Sequence, residues 1–392
     1  MYTHKAGAKV DIFFGIYKLS ALIFLFYDDF CVFFLVDSEF YAIFASINMT
    51  AMRKIRLGML LLLFLPVYAI AKTPKKQVAY AIGFYNLENL FDTCHDEGKN
   101  DYEFLAEGSY HWNTEKYTHK LHNLARVLSE MGTDQLPDVG CAAIGVAEVE
   151  NAKCLTDLCN EPPLKARGIQ FVHIEGPDQR GIDCGLLYNP SLFSVRNVKL
   201  VPYIYTRPED AGRATRGFLI VSGTMAGEHV TIIVNHLPSR GAPSIAREDG
   251  GQQLRVVKDS LLKDDPAVKL LIMGDMNDDP QDPSMAVCLG AKREVSEVGE
   301  GDLWNPWWNE LAAGNGTLMY EGAWNLFDQI ILSASLLGGK GLNYVDHQVF
   351  RRDYMIQGPG SYWGSPLRTT AGGQWLNGFS DHLPTVVFLI KN

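Results

Sequence analysis

"MGDMNDDP", residues 273–280, follows the apolar run Lys269-Leu270-Leu271-Ile272 and puts three acids and an amide directly behind it. The run reads as a buried strand, Gly274 as its turn, and Asp275 and Asn277 as residues of the loop at the strand's carboxyl end. Loops at that edge of a sheet commonly carry chemistry. The same arrangement recurs along the chain. Asn86 follows one apolar run, Glu148 a second, Asn235 and His236 a third; Asp328 stands in "WNLFDQIILS", and Asp381 and His382 precede the last run. A lone polar residue at a strand end is a turn residue or a cap. Six such positions, with two histidines among carboxylates and amides, point to one shared site.

Strands are predicted at 78–86, 142–147, 169–174, 183–188, 194–205, 217–224, 229–235, 269–274, 327–332 and 384–390, and helices at 115–131 and 246–263. So many strands with so few long crossovers predict α/β architecture with mixed sheets covered by helices. In "KYTHKLHNLARVLSEM", Tyr117, Leu121, Leu124, Leu128 and Met131 form the apolar stripe, which leaves His119 and His122 on a solvated face. The chain shows no internal repeat or low-complexity linker.

The 392 residues are 47% hydrophobic, enough for a large core and against global disorder. Residues 52–71, "MRKIRLGMLLLLFLPVYAIA", have a basic start, an apolar stretch and the small-x-small ending Ala69-Ile70-Ala71 of a secretory signal peptide. Residues 1–51 then represent an over-extended start, and 72–392 the mature domain, exported to a periplasmic or secreted location as a soluble monomer. The alternative reading is a membrane hairpin from 12–36 and 57–71, which Asp28 and Asp29 interrupt. Removing residues 1–71 takes away six basic and five acidic residues and leaves 29 against 40, a formal charge of −11. That balance excludes a protein that grips polyanions over its whole surface. Cys94, Cys141, Cys154, Cys159, Cys184 and Cys288 remain; export permits disulfides, Cys154 with Cys159 is the local candidate pair, and no spacing matches a zinc ribbon.

The ordered set N-L-E-N-L-F, A-E-V-E-N, N-H-L-P-S, G-D-M-N, F-D-Q-I-I-L-S and S-D-H-L-P resembles the endonuclease/exonuclease/phosphatase superfamily over about residues 77–392. The resemblance implies a four-layer sandwich, two mixed β-sheets face to face with helices outside, and metal-dependent phosphoester hydrolysis. It implies Mg²⁺, with Mn²⁺ as a substitute, on Glu148, Asn86 and Asp381, since hard oxygen donors suit such an ion. Asp275 would orient and deprotonate the attacking water and Asn277 hold a phosphate oxygen. His382, oriented by Asp328, would contact the phosphate, and His236 would protonate the leaving oxygen. By analogy with the deoxyribonuclease-like branch, Asp183 would orient His236; its plainer reading is a turn residue at a strand start.

Substrate choice stays open at this level. Asn235, Arg240 and Arg368 are the candidate substrate contacts, with Arg213, Arg216 and Arg247 as scattered cations and Tyr362 and Trp363 as candidates for a cleft mouth. A nucleic-acid phosphodiesterase is the leading expectation. A phosphatase or lipid phosphodiesterase acting on inositol phosphate or sphingomyelin is the alternative, and retention of all six motifs speaks against an inactive binding domain.

Overall fold

The computed structural model describes Ile12–Phe14, Ala21–Tyr27 and Phe30–Val36, and residues 78–392 apart from 321 and 361. The expected signal at 52–71 and its cleavage point lie outside the described residues. The chain divides into two units, Met1–Lys76 and Gln77–Asn392. In the first, the three strands form an antiparallel sheet in which Ile12 faces Ile23 and Phe24 faces Phe33. Among the described residues no helix is long and apolar enough to cross a membrane.

The second unit carries two mixed sheets. Its strands are β1 (Val78–Leu90), β2 (Cys141–Val149), β3 (Gln170–His173), β4 (Asp183–Tyr188), β5 (Phe193–Val201), β6 (Phe218–Met225), β7 (Glu228–His236), β8 (Lys269–Asp275), β9 (Ala291–Lys292), β10 (Leu303–Trp304), β11 (Asp328–Ser333), β12 (Leu342–Val349) and β13 (Thr385–Lys391). One sheet has the order β12-β13-β1-β2-β4-β3, the other β9-β10-β11-β8-β7-β6-β5. Each contains a parallel pair that ends at a polar motif. β1 runs parallel to β2, with Asn86 opposite Ala147, and β7 runs parallel to β8, with His236 opposite Asp275.

Burial explains the layers. Ile82, Phe84 and Leu186 of one sheet and Val221, Ile232, Val234, Leu271 and Met273 of the other form the core between the sheets. The opposite face of the first sheet packs Tyr85, Val146 and Val386 against Leu121, Leu124 and Leu128 of helix α1 (Thr114–Glu130) and Leu155 and Leu158 of α2 (Ala152–Asn160). The outer face of the second sheet packs Ile233, Leu270 and Ile272 on Leu254 of α3 (Ser244–Asp264). Each such side chain is worth about 1.5–3 kcal/mol when taken from water. The result is the expected α/β sandwich, two mixed sheets with helices outside. His119 and His122 lie on the exposed side of α1, as its periodicity predicts.

Several elements differ from the sequence reading for local reasons. The strand expected at 194–205 stops at Val201, before Pro202, which has no N–H to give the ladder. β12 escaped prediction because only Leu342 and Asn343 are buried at this edge position, so its pattern is not that of a half-buried strand. Gly274 lies inside β8 rather than turning the chain. A side chain there would meet the Asn235 carbonyl oxygen of β7 at 2.0 Å, so glycine is required by close approach.

Candidate active site

The polar motifs meet because the two parallel pairs present their carboxyl ends at one edge of the sandwich. Four non-glycine residues there adopt left-handed backbone: Glu88 (φ 50°), Asn89 (φ 57°), Glu148 (φ 62°) and Asn277 (φ 50°). Such conformations cost roughly 1–3 kcal/mol each and persist where the surroundings over-determine them. Here they aim side chains: Glu148 Oε2 accepts the Asn89 N–H at 2.9 Å, leaving Oε1 directed toward His236 Nε2 at 3.9 Å.

Asp275 is the hub. Its Oδ2 accepts Asn86 Nδ2 at 3.0 Å, its Oδ1 accepts the Asn277 N–H at 2.9 Å, and the imidazoles of His236 and His382 approach Oδ2 at 3.5 and 3.8 Å. Burial pushes its carboxyl up to about 7, against the pull of His382 and with an added push from Asp328. A carboxylate poised there suits proton abstraction near neutral pH.

The surroundings push the two histidines in opposite directions. Burial works against a charge on His382, but the Asp328 and Asp275 carboxylates outweigh it and hold the imidazolium well above its ordinary range. Its Nδ1 donates to Asp328 Oδ2 at 2.7 Å, as the sequence reading expects. For His236, burial and the Arg216 and Arg180 guanidinium groups all press the ring well below its ordinary value. Its Nδ1 is buried with no hydrogen-bond partner among the described residues.

Five of the expected site residues have partners inside the protein. Asp183 does not orient His236: its carboxylate takes the Gly176 N–H at 3.0 Å and His173 Nε2 at 3.2 Å. Asn86 spends its amide inside the protein, Nδ2 on Asp275 at 3.0 Å and Oδ1 on the Glu88 N–H at 2.9 Å, so it positions the hub. Asn235 is fully buried and pins β7 to β8 through the Met273 carbonyl at 2.8 Å. Arg240 is held by Asp279, Asp282 and Asn325. Arg368 bridges Glu88 at 3.2 Å and Asp381 at 3.0 Å. None of the last three lines the cleft.

That cleft, of about 460 Å³, is lined by Glu148, His236, Asp275, Asn277, Asp381 and His382. Arg180, Arg213, Arg216 and Tyr205 line it too. Of the scattered arginines in the sequence, Arg213 and Arg216 thus reach the site, while Arg247 pairs with Asp278 at 2.7 Å. Arg180 is a site residue that motif reading passed over. Glu88, the third letter of N-L-E-N, accepts Arg368 Nε at 3.2 Å and does not line the cleft; its carboxyl is raised by burial and by Asp381, against Lys120 and Arg368. Arg180 had no signal beyond its place in "DQRGID".

The carboxylates lining this cleft, Glu148, Asp275 and Asp381, are a hard oxygen set that fits a divalent oxygen-loving cation. Sequence comparison agrees. The model of the endonuclease/exonuclease/phosphatase family matches residues 81–391. The chain belongs to that family. It is therefore a phosphoester hydrolase, and its motifs fall where this geometry needs them. No curated protein matches the chain. Among solved structures, ANGEL2, described as a 2′,3′-cyclic phosphatase, is 13% identical, covers 80% of this chain and 95% of its own, and has a TM-score of 0.53. A family protein from Bacteroides thetaiotaomicron is 15% identical, with coverage of 81% and 99% and a TM-score of 0.50. A humanized D. rerio TDP2 is 15% identical, with coverage of 79% and 98% and a TM-score of 0.49. At these identities the likeness is one of fold.

Proposed function

We propose that the protein is an exported, Mg²⁺-dependent phosphodiesterase that cleaves nucleic acid by in-line attack of water. The observation that carries the reaction is the placement of two imidazoles on one carboxylate: His236 and His382 reach Asp275 Oδ2 at 3.5 and 3.8 Å. Asp275 takes a proton from the attacking water, the water oxygen bonds to phosphorus, and the bond from phosphorus to the leaving oxygen breaks. His382, charged and held by Asp328, donates to a phosphoryl oxygen. His236 delivers a proton to the leaving oxygen. A bound phosphate supplies the negative field that favours its charged form, offsetting Arg180 and Arg216. Asn277 adds a donor to the phosphoryl group.

Glu148 and Asp381 would hold the ion, with Mn²⁺ as a substitute. When bound it neutralises charge on the phosphoryl oxygens. The preference for a polyanionic substrate is supported by Arg180, Arg213 and Arg216 in the cleft of an otherwise acidic chain, and by Tyr205 beside them as a stacking surface. Export is supported by the signal pattern of residues 52–71.

The test is hydrolysis of plasmid DNA, RNA, sphingomyelin, inositol phosphates and bis-p-nitrophenyl phosphate by the chain beginning at Lys72. Nucleic acid is expected to be cleaved with the highest kcat/KM. Turnover confined to inositol phosphates or sphingomyelin overturns the substrate assignment, and a secreted protein that still carries residues 1–50 overturns the assignment of export.

A further inference from the structure

Three groups of ligand-type side chains converge among the described residues. Asp275, Asp328 and His382 belong to the active site. His173, Glu175 and Asp183 are already served, because Lys99 Nζ lies 3.1 Å from Glu175 and the Gly176 N–H is bound to Asp183. The third group, Asp92, Glu150 and Cys154, has ligand atoms within 4.8 Å of one another; Asp92 Oδ1 accepts the Cys94 N–H at 2.7 Å, and Glu150 has no cationic partner among the described residues.

Glu150 decides the matter. It is 1% exposed, yet unlike the other buried carboxylates it has no lysine, arginine or histidine within ion-pair distance. Glu88 has Lys120 and Arg368, Asp178 has Arg216, Asp278 has Arg247 and Asp328 has His382. Its Oε2 accepts the Asp92 N–H at 2.6 Å and lies 3.7 Å from Cys154 Sγ, while its Oε1 is buried with no hydrogen-bond partner among the described residues. Around it, Asp96 takes Asn151 Nδ2 at 3.2 Å and Asp101 is paired with His95 at 2.5 Å. Lys153 stands 3.7 Å from Asp92 but is 57% exposed and closer to Asp157, at 2.7 Å. A buried carboxylate oxygen left this way is expensive unless something neutralises it.

We propose that Asp92, Glu150 and Cys154 form a second divalent-cation site, separate from the catalytic cleft, for an ion that accepts thiolate as well as carboxylate, zinc being the type. Two carboxylates and one sulfur leave one position of a tetrahedron for water. Binding releases the thiol proton of Cys154 to solvent. The elements it joins give the site its consequence. Asp92 follows β1 and Glu150 follows β2; Cys154 sits in the first turn of α2, where Asn151 Oδ1 accepts its N–H at 3.1 Å. Glu148, which lines the cleft, lies two residues before Glu150, whose own N–H is bound to the Leu90 carbonyl at 3.0 Å. A cation here ties together the strand ends that aim Glu148.

The experiment strips the purified chain with chelator and titrates it with Co²⁺ alone. The expected result is a near-ultraviolet thiolate-to-cobalt charge-transfer band that saturates at one equivalent and is abolished by Zn²⁺. Cys154→Ser should lose the band with unchanged far-ultraviolet circular dichroism, and Glu150→Gln should weaken Co²⁺ binding at that band by at least about tenfold. The wild-type spectrum and the Glu150→Gln titration carry the test if the serine variant does not fold. A folded wild-type chain that shows no band overturns the proposal, as does a band that survives Cys154→Ser or an unchanged affinity in Glu150→Gln.

Discussion

His382 Nδ1 stands 2.7 Å from the fully buried carboxylate of Asp328, and the bond joins the two sheets. Asp328 opens β11 of the seven-stranded sheet, whereas His382 lies just before β13 of the six-stranded one. Asn86 and Asp275 make the same crossing with a 3.0 Å hydrogen bond between residues 189 apart in the chain. The catalytic geometry is therefore only as exact as the registration of one sheet on the other.

Asp328→Asn keeps the shape of the side chain and removes the charge that holds His382 protonated. Breaking a buried pair of this kind costs about 3–5 kcal/mol of stability, and loss of a charged donor to the phosphoryl group costs about 10²–10³-fold in kcat. Urea unfolding and steady-state rates on an activated aryl diester and a nucleotide ester check both. A loss confined to the nucleotide ester would mean that His382 serves the leaving group.

Chelation should abolish activity, and Mg²⁺ or Mn²⁺ should restore it. Glu148 Oε1 is free of intrachain hydrogen bonds and faces the cleft, so Glu148→Gln removes a charge from a hard cation without unfolding β2. The Mg²⁺ concentration giving half-maximal rate should rise at least about tenfold. Undiminished turnover in chelator would remove the metal from the mechanism.

Away from the site, His347 should make stability depend on pH. Burial lowers its pKa, opposed by Glu310 and Asp346, while its Nδ1 lies 2.5 Å from the Tyr344 hydroxyl and its ring meets Trp307 edge-on at 4.9 Å. The fold prefers the neutral ring and binds fewer protons than the unfolded chain. Its contribution is thus present above the unfolded value of about 6.5 and is lost as pH falls below it. Thermal midpoints at pH 7 and pH 5 should differ less in His347→Gln than in the wild type; an equal difference would show that other groups set the slope.

The fold was legible because buried strands announce themselves. Lys269–Asp275 and Asp183–Tyr188 are nearly continuous apolar runs, and their boundaries follow from where polar residues begin. The catalytic identities were legible for the same reason, since Asp275, His236 and His382 stand at strand ends and in recognisable motifs. Partnerships between distant residues were not. Nothing in "RGIDCGLLY" says that Asp183 meets His173 and Gly176 rather than His236, because that choice depends on how β3, β4 and β7 lie in two different sheets. Nor does an arginine's position in sequence tell whether its counter-charge is a neighbouring loop, as for Arg240, or a substrate.

The sharpest prediction concerns His236, because its surroundings differ from those expected of a carboxylate-oriented acid. Its Nδ1 has no partner to fix the tautomer, and burial with two nearby guanidinium groups favours the neutral ring. If it protonates the leaving oxygen, its worth depends on how much that oxygen needs a proton. A p-nitrophenolate departs unaided, whereas an alkoxide of a nucleoside does not. His236→Ala should therefore lose about 10²–10⁴-fold in kcat on a nucleotide ester, the usual range for general acid catalysis, and much less on bis-p-nitrophenyl phosphate. Asp275→Asn should damage both, since both need the water activated. Rates for the two variants on the two esters decide the assignment: equal losses for His236→Ala would mean that the ring stabilises the phosphoryl group and that the proton comes from elsewhere.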